Sequence, residues 1–65
     1  MKINVAKVKL LLAKQEATLT QLAENSGVSR QSLSVILNRG TCTPKTANKI
    51  ARGLGIDVTE IIKVE

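Results

Sequence analysis

Two helix-start signals with a stop signal between them divide the middle of this chain: Thr18-Leu-Thr-Gln21, then Gly27, then Ser29. The Thr18 hydroxyl can accept from the amide three residues on while Gln21 reaches back to the amide of Thr18, a reciprocal pair that opens a helix at Leu19. Gly27 tolerates the left-handed backbone that ends a helix, and Ser29 offers a second cap. One short helix fits between these signals, and another must begin after a tight link. A chain punctuated in this way packs short helices.

The flanking segments follow the same grammar. Asn4 is an N-cap before Val5, Val8, Leu11 and Leu12, whose spacing predicts a helix from Val5 to Gln15, with Lys7, Lys9 and Lys14 on its other faces. Leu19, Leu22 and Ala23 give the second helix its apolar side. Val28 is an apolar plug in the link, and Leu33, Ile36 and Leu37 mark the buried stripe of a third helix running to about Asn38. Arg39-Gly-Thr-Cys-Thr43 reads as a loop. Thr43-Pro44 sets a capping hydroxyl before a proline at the first helical position, where its missing amide costs nothing. The fourth helix turns Ala47, Ile50, Ala51 and Leu54 inward and ends at Gly55; Asp57-Val-Thr-Glu60 then resembles another capping box, opening a short fifth helix with Val58, Ile61 and Ile62. No segment alternates with the two-residue period of a sheet over any length, and there are no repeats. The expected fold class is all-α: five helices in a single domain, residues 1–65.

Composition narrows the chemistry. A 65-residue chain buries about 60% of the surface its unfolded form exposes, and without Phe, Tyr or Trp the core must be aliphatic. The net charge is +5, and Asn25 through Ile56 holds Arg30, Arg39, Lys45, Lys49 and Arg52 but no acidic residue. Such a block favours a polyanionic partner, nucleic acid or an anionic membrane surface. Cys42 is solitary and histidine is absent, which excludes an intramolecular disulfide and a Cys/His metal cluster. No metal or cofactor is expected, and a reducing cytoplasmic setting fits. No apolar run approaches the roughly 18 residues of a membrane span, and the N-terminus lacks the pattern of a signal peptide. An enzyme is not expected: there is no His, no base to activate Cys42, no glycine-rich phosphate loop, and Glu16 and Glu24 read as solvated helix residues.

A short helix, a tight glycine turn and a helix with a polar far side form a helix-turn-helix. At roughly 100° per residue, with Leu33, Ile36 and Leu37 inward, Gln31, Val35 and Asn38 point most nearly outward, flanked by Ser32 and Ser34, with Arg30 to the side. Glutamine can pair with adenine, arginine with guanine, serine with several base edges, and valine with a thymine methyl. The candidate base-reading residues are therefore Arg30, Gln31, Ser32, Ser34 and Val35. Ser29, Asn38, Arg39, Thr41 and Lys45 are the candidate phosphate contacts, which position a protein on DNA without choosing its sequence. Lys45 and Lys49 share one face of the fourth helix. Each of these residues is equally at home on a solvated surface, and the case rests on their coincidence at a helix N-terminus, the end such motifs insert.

Leu22-Ala23, Gly27-Val28-Ser29, Leu33 and Ile36, with Lys-Ile-Ala-Arg-Gly-Leu-Gly-Ile from Lys49 to Ile56, resemble the helix-turn-helix domains of the lambda repressor and Cro family over nearly the whole chain. The resemblance implies a five-helix lambda-repressor-like DNA-binding domain whose third helix reads the major groove, usually as a dimer on a palindromic site. Three departures stand out. Leu19 occupies a position where the family often has a phosphate-gripping glutamine. Leu12 and Leu37 stand where many members have an Arg–Glu pair, a replacement that is often neutral or stabilising. The sequence stops at Glu65, without the additional domain that many repressors use to dimerise or sense a signal.

The expected function is a sequence-specific regulator of transcription binding double-stranded DNA, a repressor of phage or mobile-element type. The alternative is a protein-binding module on the same fold, an antirepressor or antitoxin-like partner presenting Val35, Leu19 or the tail Ile61, Ile62 and Val64. A membrane-surface role ranks behind both, because the lysines of the first helix have no aromatic anchors beside them. A homodimer through the C-terminal Val58, Ile61, Ile62 and Val64 is expected, since one small core need not cover that apolar surface.

Overall fold

The computed structural model describes residues 1–63. It contains α1 (Val5–Lys14), α2 (Leu19–Ser26), α3 (Arg30–Arg39) and α4 (Pro44–Leu54), followed by a single 3-10 turn, Val58–Glu60. Each start is fixed by the expected cap. The Asn4 side chain accepts from the Lys7 amide at 3.0 Å. The Thr18 hydroxyl accepts from the Gln21 amide at 3.1 Å while Gln21 Oε1 accepts from the Thr18 amide at 2.9 Å. Ser29 and Thr43 accept from the amides of Ser32 and Thr46.

The ends differ in chemistry. Gly27, Gly40 and Gly55 close α2, α3 and α4 with φ near 75°. After α1 the left-handed position is taken by Glu16 at φ 52°, and the Ala17 amide reaches back to the Leu12 carbonyl at 2.9 Å as the Ile56 amide does to Ala51 at 3.0 Å. The Gln15 side chain donates to the Leu54 carbonyl at 2.7 Å, pinning the end of α1 to the end of α4.

Val8, Leu12, Leu22, Val28, Leu33, Ile50, Ala51, Leu54 and Ile61 form one aliphatic core, against which Ile36 and Leu37 pack half-buried. No polar or charged side chain is buried among the described residues. Leu12 and Leu37 thus join the apolar interior, and no buried ion pair has to be desolvated there. α4 contributes Ala47, Ile50, Ala51 and Leu54 as one stripe and lies chiefly against α2. Their crossing is tight: a Cβ on Gly53 would stand 2.8 Å from Ser26 Cβ and 2.9 Å from Leu22 Cδ1.

Two expectations are corrected. The fifth helix is one 3-10 turn, in which the Asp57 carboxylate accepts from the Thr59 hydroxyl at 2.7 Å and the Thr59 amide at 2.9 Å, bonds that hold its pKa below the ordinary carboxylate value. The helix cannot continue because Ile62 leaves it to pair with Ile3. The second correction concerns the C-terminal apolar residues. Ile61 is fully buried in the core and Val58 and Ile62 are half-buried, so most of the surface expected to need a partner is already covered. Val64 lies outside the described residues.

The cover is a ribbon that periodicity did not announce. Lys2 pairs antiparallel with Thr41, and Ile3 with Ile62. The Ile3 amide donates to Gly40 at 2.9 Å, Cys42 to Met1 at 3.0 Å, Asn4 to Ile61 at 2.7 Å and Lys63 to Lys2 at 3.0 Å. Residues 1–4 are therefore stitched between the α3–α4 loop and the tail.

Candidate nucleic-acid interface

The link Gly27–Ser29 follows from local needs: Gly27 supplies the left-handed turn, Val28 is buried and Ser29 caps α3. With Leu33 buried and Ile36 and Leu37 half-buried, the rest of α3 faces outward. Arg30, Gln31, Ser32, Ser34, Val35, Asn38 and Arg39 are all exposed, and Val35 keeps 49% of its surface accessible. The Ser29 hydroxyl accepts from the Ser32 amide and donates to Ser32 Oγ at 2.9 Å. That arrangement commits Ser29 to the cap and leaves the Ser32 proton available to an outside acceptor.

Concave surfaces run along both sides of α3. The larger, about 740 Å³, is lined on the α3 side by Ser29, Gln31, Ser32, Val35 and Arg39, and opposite them by Thr41, Cys42, Thr46 and Lys49. On the other side Arg30, Gln31 and Ser34 adjoin Leu19, and Ser34 and Asn38 adjoin Leu37 and Lys9. No carboxylate lines any of these surfaces. The basic, acid-free block of the sequence has become a basic, acid-free face.

All ten residues expected at the interface are exposed, and nine of them line these concavities; Lys45, beside Pro44, does not. One turn further along α4, Lys49 does, with Thr46, whose hydroxyl accepts from Thr43 at 2.9 Å. Thr46 was missed by sequence reasoning. The available signal was its position three residues before Lys49 on the flank of the α4 stripe. Leu19, where the family often has glutamine, is half-buried and lines the same concavity as Arg30 and Ser34. Cys42 is half-buried, and burial pushes its thiol above the ordinary value against a weaker pull from the N-terminal ammonium. Such a thiol stays protonated and a poor nucleophile.

No helix among the described residues is long and apolar enough to cross a membrane. No curated protein and no solved structure matches the chain. The helix-turn-helix family model matches residues 8–61, a span that runs from the first buried residue of α1 to the buried Ile61 that closes the core. With α2, α3, α4, most of α1, the glycine turn and the exposed face of α3 inside that span, the chain belongs to the helix-turn-helix family of the lambda repressor and Cro type.

Proposed function

We propose that this protein is a sequence-specific transcriptional repressor of the phage or mobile-element kind, acting as a binding module and not as an enzyme, with α3 inserted in the major groove of double-stranded DNA. Membership of a DNA-binding regulator family supports the first step. The observation that carries the rest is the outward side of α3, where Arg30, Gln31, Ser32, Ser34 and Val35 are exposed together with no carboxylate among them. In this reading Arg30 and Gln31, at the N-terminal end, make paired hydrogen bonds to guanine and adenine, the serines take further base edges, and Val35 meets a thymine methyl. Asn38, Arg39 and Thr41 hold phosphates beside them, with Ser29 at the cap. Lys49 joins this group more readily than Lys45, because it borders the same concavity as Gln31 and Arg39.

Two copies on a palindromic operator, about 34 Å apart, would fill successive major grooves. With Ile61 in the core, pairing through the tail has, among the described residues, the half-buried Val58 and Ile62 to use, and in this reading DNA supplies most of the alignment.

The test is selection of bound duplexes from a random pool, followed by affinity measurements on the recovered sequence. Affinity is expected to fall steeply with salt, and the double variant Arg30→Ala, Gln31→Ala to lose base preference while keeping residual binding. An unchanged preference would remove these two residues from base readout. The exposed Val35 favours one second reading, in which the same face docks a protein. That reading gains if the purified chain retards DNA only in the presence of a second protein.

A further inference from the structure

Leu19 and Arg30 are the first residues of α2 and α3, and with Gln31 and Ser34 they line one concave surface of about 410 Å³. Val35 lines the larger concavity on the opposite side of α3, and Gln31 borders both. Leu19 is half-buried and packs against the aliphatic core, while the reciprocal bonds between Thr18 and Gln21 fix the backbone on either side of it. An apolar group held in this way presents its remaining surface beside an exposed arginine. Leucine can neither donate nor accept a hydrogen bond, so it has nothing to offer a phosphate or a polar base edge. The apolar feature of the major groove is the methyl on C5 of thymine. 5-Methylcytosine carries the same methyl at the same place, and in either base it stands beside O6 and N7 of a guanine that follows on the same strand.

We propose that Leu19 is a specificity-determining residue, which together with Arg30 reads a 5-methylpyrimidine followed by guanine. Arg30 makes its paired hydrogen bonds to the guanine, and Leu19 covers the methyl of the base before it. The inference rests on the major-groove reading of α3 and adds to it a base position read from α2. Because the core already holds Leu19, little ordering opposes the contact. The methyl that Val35 meets is a different one, since Val35 borders the other concavity.

The experiment starts from a duplex recovered from the random pool. The guanine read by Arg30 is the one whose change to adenine weakens wild-type binding but not that of Arg30→Ala. The base before it is then varied within two pairs that each keep the Watson–Crick partner, thymine against uracil and 5-methylcytosine against cytosine, and affinity is measured by fluorescence anisotropy. The wild type is expected to favour the methylated member of each pair about fourfold, the worth of one buried methyl-sized group. Leu19→Gln, which installs the residue the family often has, is expected to bring both ratios to about one, and Leu19→Met to keep them. Any loss of folded protein in a variant cancels in the ratio. A preference in one pair alone, removed by Leu19→Gln, would keep the contact and identify its source as thymine or as 5-methylcytosine. Equal binding within both pairs, or ratios that survive Leu19→Gln, would overturn the Leu19 contact and leave the α3 reading standing. A duplex with no guanine that depends on Arg30 would overturn the proposed step together with base readout by Arg30.

Discussion

Glu16 occupies a left-handed position, φ 52°, that α4 fills with Gly55 at φ 72°. In both places an amide reaches back five residues to seal the helix end, but a side chain at the αL position costs roughly 1–2 kcal/mol that glycine avoids. Glu16→Gly is expected to stabilise the domain by up to about 1 kcal/mol, after the greater freedom of glycine in the unfolded chain is set against the relief. A urea titration monitored by far-ultraviolet circular dichroism checks this, and a loss of stability would show that Glu16 holds its conformation through contacts of its own. With no glycine there, the end of α1 was read one residue long, at Gln15. The reading edge was far more legible, because helical period alone separates Leu33, Ile36 and Leu37 from Arg30, Gln31, Ser32, Ser34 and Val35.

Among the elements, the crossing of α2 and α4 depends on Gly53. Its missing Cβ leaves room for Ser26 and Leu22, and Leu22 is itself buried and has little freedom to retreat. Gly53→Ala gains up to about 1 kcal/mol in helix propensity, yet overpacking costs typically about 1–3 kcal/mol. A net loss is expected, visible as a lower urea midpoint. A variant more stable than the wild type would mean that the helices separate at little cost. The starts of all four helices could be read in advance, because a cap is chemistry confined to four or so residues. The fifth could not: Asp57 caps a 3-10 turn with the same carboxylate it would use for an α-helix, and the continuation is decided at Ile62 by a partner 59 positions away, Ile3.

At the scale of the whole molecule, the terminal ribbon closes the fold. Ile3 fills the core from a segment of three residues, too short to show any periodicity, and its partners come from the loop and the tail. Ile3→Ala is expected to cost about 2–5 kcal/mol, as buried isoleucines do, and to speed hydrogen exchange at the amides of Asn4, Cys42 and Lys63 first. Unchanged exchange at those amides would show that the ribbon is held by its backbone alone. The candidate site divides along the same line. Its reading helix is a local pattern and was legible, whereas Thr46 and Lys49 are brought to its border by the packing of α4.

The bond between the Lys63 amide and the Lys2 carbonyl also sets the two ends of the described chain side by side. Lys2 and Lys63 both border the flank that carries Arg39, so a bulky tag is no more neutral at one end than at the other. A short linker across the gap would turn the domain into a ring, and the turn around Glu16 offers a place to reopen it without cutting a helix.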